Sequence, residues 1–143
     1  MNNFSLTDRV LRTRLFLAML LLFAITAPVD SARSGEERRQ SISGPELMQL
    51  IENNKAPMII DVRSSREYKS GHVEGSINIP FRSNFAKIDE VMADPKRLIV
   101  VYCAYGPRAA WAQRKMRKTG LENVILMTGH ISKWKKQKLP LVK

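Results

Sequence analysis

The chain has 143 residues, enough for one domain with a hydrophobic core and too few for two ordinary ones. Lys and Arg number 24 against 13 Asp and Glu, a formal net charge of +11, so the surface attracts anions, from small oxyanions to acidic lipid and nucleic acid. A single cysteine excludes an intramolecular disulfide framework and a multi-cysteine metal site, and two histidines add too little to supply a ligand set.

Arg9, Arg12 and Arg14 precede the apolar stretch Leu15 to Ala27, and small residues follow at Ser31 and Ala32. A basic start, a compact apolar block and small residues at the end read as an export signal over 1–32, which places the domain outside the cytosol, in the periplasm of a bacterium. The block is shorter than the roughly 17–25 residues that span a bilayer, so a permanent anchor is the alternative, with membrane association through this segment. The same compactness argues against a mitochondrial transit peptide. Residues 33–40 are polar and charged and read as a linker, leaving 41–143 for the folded domain.

Ser43-Gly44-Pro45-Glu46 carries the marks of a helix start, with a capping serine, a first-turn proline and an S-x-x-E spacing. Leu47, Leu50 and Ile51 continue at helical spacing until Asn53-Asn54. Pro57 to Arg63 is apolar without alternation, as in a strand buried on both faces, with Asp61 at its C-terminal end. Ser64 to Tyr68 suits a short helix. Gly71 to Gly75 is a glycine-bounded loop leading to the short run Ser76 to Ile79, which Pro80 ends near a sheet edge. Phe85, Ile88, Val91 and Met92 predict an amphipathic helix over 84–92, before Pro95. Leu98 to Tyr102 is the most apolar strand candidate. Ala109 to Lys118 favours helix up to Gly120, Val124 to Met127 is a further strand, and Thr128-Gly129-His130 turns into Ile131 to Trp134. Strands alternating with helices predict an α/β fold with a mainly parallel sheet, and Trp111 and Trp134 are expected as core anchors.

In such a sheet ligands bind beyond the carboxyl ends of the strands, so Asp61 and Cys103 belong on one rim. Cys103-Ala104-Tyr105-Gly106-Pro107-Arg108 joins the most apolar strand to a helix. A lone cysteine after a buried strand is more often a core residue, but its neighbours argue for chemistry. Gly106 lets the backbone turn so that successive N–H groups face one point, and Pro107 suits the first helical turn. Arg108 adds a permanent charge and a planar fork of donors. Free amides and the positive end of a helix favour an anion, and thiolate is the nucleophilic form of cysteine. His72 is expected to tie its loop by hydrogen bonding, and Asp61 and Arg63 to organise the rim through ion pairs with Glu67 or a nearby group.

Cys-x-x-Gly-x-Arg after a buried strand resembles a single-domain rhodanese, or thiosulfate sulfurtransferase. Asp61-Val62-Arg63, Glu67-Tyr68, Gly71 to Pro80 and Thr128 to Trp134 with Leu139-Pro140 carry the same resemblance, over roughly Ser41 to Leu141. The basic leader and small size are similar to exported bacterial members. The resemblance implies a five-stranded, mostly parallel sheet flanked by helices on both faces, with no cofactor or metal. It implies that Cys103 is the catalytic nucleophile, taking sulfur from a small anionic donor such as thiosulfate and passing it to a thiophilic acceptor. The amides of Ala104, Tyr105, Gly106, Arg108 and Ala109, with the Arg108 side chain, would bind the substrate and its persulfide. Related phosphatases have five residues between cysteine and arginine where this chain has four, which favours sulfur over phosphate and disfavours a phosphatase or arsenate reductase. Ala104 stands where many members of that family carry a basic residue, which lowers the positive potential and keeps a noncatalytic binding module as the alternative. From Arg108 to Lys143 ten basic residues face one acid, Glu122, which reads as a solvated cationic face that steers anionic donors rather than a nucleic-acid surface.

Overall fold

In the computed structural model, which describes residues 40–143, five short strands form one sheet in the order β1-β5-β4-β2-β3, all of them parallel. The strands are β1 (Ser41–Ile42), β2 (Met58–Asp61), β3 (Ser76–Asn78), β4 (Ile99–Tyr102) and β5 (Val124–Met127). Between and after them come helices α1 (Gly44–Glu52), α2 (Ser65–Lys69), α3 (Asp89–Met92), α4 (Pro107–Lys118) and α5 (His130–Lys136). The proposed export signal and residues 33–39 of the linker lie outside the described residues. No helix among the described residues is long and apolar enough to cross a membrane.

Every residue of β2 and β4 is buried, which is why both read as apolar runs without alternation. Alternation persists in three dimensions as a division between two cores. Ile60, Val62, Ile99, Val101 and Cys103 face one core with Ala109, Ala112 and Met116 of α4. Ile59, Val100 and Tyr102 face the other, with Leu47 of α1 and Ile131 and Trp134 of α5. Helices therefore cover both faces of the sheet. Pro80 follows β3 two residues after its last member, and β3 is an edge strand, as its position beside the proline suggests.

Local signals explain the helix starts. Ser43 accepts a hydrogen bond from the Glu46 amide, and Pro45 sits in the first turn. A full capping box forms at Ser64, whose hydroxyl accepts from the Glu67 amide while the Glu67 carboxylate accepts from the Ser64 amide. Asn53 caps α1 at its end, and Asn54 takes a left-handed φ of +57°.

Two expectations are corrected. Residues 84–92 form a 3-10 turn, Phe85–Lys87, followed by the separate short α3, because Ile88 between them is extended, at φ −105° and ψ 97°. A β-branched residue tolerates that conformation well, and Asp89 and Glu90 then suit a fresh helix start. Trp111 is 39% exposed rather than a core anchor. The buried positions of α4 are Ala109, Ala112 and Met116, a three-and-four spacing that turns Trp111 outward, where it meets Phe81 edge-on and the Lys115 ammonium. Trp134 is buried, and its indole N–H donates to the Pro140 carbonyl at 2.8 Å.

Candidate active site

The register places Asp61 opposite Tyr102, so Asp61 and Cys103 do share the rim where β2 and β4 end. The Val62 amide donates to the Tyr102 carbonyl at 3.0 Å and extends the ladder to the edge of the loop. Beyond it, Cys103 is 1% exposed and packs among the apolar residues beneath α4. The Gly106 amide donates to Cys103 Sγ at 3.1 Å, closing the loop on its own sulfur. Gly106 reaches this position with φ +129°, a conformation that costs a residue with a Cβ and that glycine adopts freely. Pro107 then opens α4, where its missing N–H leaves no helical bond unmade.

Two walls hold the loop. On one side the first turn of α5 binds its carbonyls: the Ile131 amide donates to Cys103 O at 3.1 Å and the Ser132 amide to Ala104 O at 3.3 Å. On the other, Arg108 grips Glu67 of α2 with both arms of its fork, at 2.7 and 2.8 Å. The Arg108 hydrogen bond holds the Glu67 carboxyl well below the usual range, at about 2, against its partial burial and with help from Ser64. Arg108 is raised in turn, by that bond first, with the charge of Cys103 adding to it. In this arrangement both arms of the Arg108 fork expected to bind substrate are engaged by Glu67, whose ionised carboxylate offsets its charge. Tyr105, two residues after Cys103, is 81% exposed, so its ring stands in solvent. Ala104 is half-buried behind it.

The floor of the rim is polar and closed. Arg63, 3% exposed, meets the fully buried Asp61 through Nε and Nη2, the shortest contact being 2.6 Å, and its Nη2 also donates to the Gly71 carbonyl. Burial disfavours the Arg63 charge, but the hydrogen bonds and charge of Asp61 outweigh it and raise the guanidinium further. Tyr102 lies beneath, accepting from the Val73 amide and exchanging a hydrogen bond with Ser76. Burial and then the Asp61 charge push its hydroxyl up, so it stays neutral. Asp61 and Arg63 organise the rim by pairing with each other, and Glu67, the partner expected for them, pairs with Arg108 instead. His72 ties its loop as expected, stacking on Tyr68 with Nδ1 3.1 Å from the Tyr68 carbonyl, while its backbone bridges Val142 near the C-terminus.

A parallel sheet whose central strand ends in a cysteine loop of this length has a counterpart among known families. The model of the rhodanese-like domain matches residues 43–137. The chain belongs to that family. Among curated rhodanese-like relatives, the thiosulfate:glutathione sulfurtransferase of Saccharomyces cerevisiae is 29% identical over 107 residues, covering 66% of this chain and 77% of that protein. A tRNA uridine(34) hydroxylase of Buchnera aphidicola is 32% identical, covering 65% of this chain, and an adenylyltransferase and sulfurtransferase of Ogataea parapolymorpha is 27% identical, covering 63%. The chain spans only 31% and 23% of the lengths of those two. The crystal structure of a rhodanese-related protein from Thermoplasma volcanium superposes with a TM-score of 0.58 at 31% identity, covering 73% of this chain and 98% of that one.

The sequence placed Cys103, Ala104, Tyr105, Gly106 and Arg108 together, and the structure gathers them in one loop. Two further residues, both within stretches that carry the family resemblance, take their roles at the loop only in the fold. Glu67 is announced by Ser64-x-x-Glu67, which fixes it at the third position of α2 pointing back at the rim. His130, at the start of α5, lies in the Thr128 to Trp134 stretch of the resemblance, but no sequence signal assigns it a role at the cysteine loop.

The Glu67 carboxylate gives a measurable signature. Glu67→Gln keeps a carbonyl that can accept in the capping box, and removes both the charge and one of the two oxygens that accept from the Arg108 fork. The folded value lies below the unfolded one, so the pair's contribution is complete above about 4.5 and disappears as the pH falls through about 2. The pair is partly exposed and screened, so the effect is on the order of 1 kcal/mol. Melting curves of the two proteins should therefore differ at pH 6 and converge towards pH 2; a constant difference at all pH values would contradict the pairing.

Proposed function

We propose that this rhodanese-like domain is a sulfurtransferase that carries sulfane sulfur on Cys103. The carrying observation is the Gly106 amide on Cys103 Sγ, 3.1 Å away, at the end of the central strand. It provides a donor already aimed at the atom that must bear negative charge as thiolate and as persulfide. The Cys103 thiolate attacks the outer sulfur of thiosulfate, the S–S bond breaks and sulfite leaves with its electron pair. The persulfide that remains passes its outer sulfur to a thiophilic acceptor, and the thiolate returns. This is covalent catalysis in two steps, with ping-pong kinetics expected. No general base is required, since neither step removes a proton from a substrate carbon or water. The positive C-terminal stretch of the chain, ten basic residues against one acid from Arg108 onward, supports an anionic donor, because such a field raises its local concentration. A relative named for thiosulfate and glutathione supports the same donor.

Mass spectrometry tests this directly. Incubation with thiosulfate should add one sulfur to the peptide containing Cys103, and cyanide or a thiol should remove it. A peptide that gains no sulfur from any sulfane donor would leave the domain as a binding module.

A further inference from the structure

The turn from β5 into α5 uses two left-handed residues, Gly129 at φ +73° and His130 at φ +53°. Glycine takes that conformation freely, whereas a residue with a Cβ is less stable there by about 1 kcal/mol. His130 bears a second local cost. Its side chain is 8% exposed, and Nδ1 is buried without a hydrogen-bond partner, a situation worth about 1–3 kcal/mol of lost solvation. Backbone strain and an orphaned polar atom at one residue point to a role outside stability.

The role follows from what the ring touches. His130 Nε2 lies 3.1 Å from the point where a Gly106 side chain would begin, so the imidazole occupies the space against the Gly106 α-carbon. The next two residues, Ile131 and Ser132, hold the carbonyls of Cys103 and Ala104. Gly106 has the freest backbone in the loop and carries the amide that meets Cys103 Sγ. Burial lowers the His130 value, so the imidazole packs there uncharged.

We propose that His130 is a positioning residue for the cysteine loop: its ring braces Gly106 so that the Gly106 N–H stays on Cys103 Sγ. It acts through Gly106 and touches no substrate. The inference deepens the sulfurtransferase reading and rests on it for its purpose, but the brace itself is measurable without any sulfur donor.

The deciding variant is His130→Gly, which relieves the left-handed strain and removes the orphaned nitrogen together with the ring. Its melting temperature should equal or exceed that of the parent protein. Alkylation of Cys103 by iodoacetamide, in which the thiolate displaces iodide, should slow about tenfold, since small misplacements of a reacting group have effects of this size or larger. The Gly106 amide should exchange its hydrogen faster. In sulfur transfer kcat should fall by a similar factor, with KM for thiosulfate within about twofold. His130→Phe restores the ring without the nitrogens, and should recover most of the alkylation rate. Unchanged alkylation in His130→Gly, or a loss matched by a fall in melting temperature, overturns the proposal. A folded His130→Phe protein that stays as slow as His130→Gly overturns it too, by assigning the effect to a nitrogen. If the parent protein moves no sulfur while alkylation behaves as expected, the sulfurtransferase reading fails and the brace stands.

Discussion

Cys103→Ser is expected to lower sulfur transfer by at least about 10³-fold, to background, while the fold persists. Both parts follow from the site. A serine hydroxyl is not ionised near neutral pH and is a far weaker nucleophile towards sulfur than a thiolate, so the covalent intermediate cannot form. Serine is nearly isosteric, however, and its oxygen can accept the hydrogen bond that the Gly106 amide now gives to Cys103 Sγ. The residue lies at the edge of an apolar cluster and is 1% exposed, so the added polarity should cost on the order of 1 kcal/mol. Cys103→Ala offers the contrast, since it leaves the Gly106 amide without that acceptor. Thiosulfate-to-cyanide transfer assays alongside thermal melts check both statements. Activity within tenfold of the parent in a folded Cys103→Ser protein would remove the persulfide from the mechanism.

What could be read from the chain depended on whether a signal was local. The buried strands β2 and β4 declared themselves as short apolar runs, and the loop from Cys103 to Arg108 as a glycine, a proline and an arginine at fixed spacing. Such features are set by backbone chemistry within a few residues. Trp111 is expected inside as a large aromatic, whereas the phase of α4 is set by Ala109, Ala112 and Met116, and the two alanines let the helix approach the sheet closely. Residues 84–92 have helical spacing, yet the chain breaks at the extended Ile88, which spacing alone does not reveal. Glu67 and Arg108 are separated by 41 positions, and only the adjacency of β2 and β4 brings α2 beside α4. No pattern within either segment specifies that pair. His130 is harder still, since the sign of its φ and the loss of an Nδ1 partner are properties of the folded turn.

The same adjacency makes the rim a single mechanical unit. Asn78 of β3 donates to the carbonyls of both Asp61 and Arg63, at 2.9 and 3.0 Å, and Arg63 reaches across to the Gly71 carbonyl. The Arg63 guanidinium also lies 5.9 Å from the centre of the Tyr102 ring, the residue just before Cys103. The apolar strands thus bring the cysteine to the rim, and a buried ion pair fixes the rim's shape around it. A site that must present an amide to a sulfur within tenths of an ångström needs such support.

The buried pair therefore carries the largest expected effect on stability. Arg63→Ala leaves the Asp61 carboxylate fully buried with the amide of position 63 as a donor but no countercharge, and strips the Gly71 carbonyl of its partner. Removing one member of a buried pair destabilises by about 3–5 kcal/mol, a large share of the roughly 5–15 kcal/mol that holds a domain together. For a domain of this size the melting temperature should drop by more than about 12 °C. The damage comes from the uncompensated Asp61 charge more than from the missing guanidinium hydrogen bonds, and that distinction can be measured. In the double variant Asp61→Asn with Arg63→Met no charge remains, and the asparagine side-chain carbonyl can still accept from the amide of position 63. Urea denaturation should find the double variant more stable than Arg63→Ala alone by at least about 1 kcal/mol, because burying a neutral amide and a thioether costs less than burying an unpaired charge. A double variant that is equally or more unstable would mean that the ion pair itself, through its links to Gly71 and Tyr102, stabilises the rim.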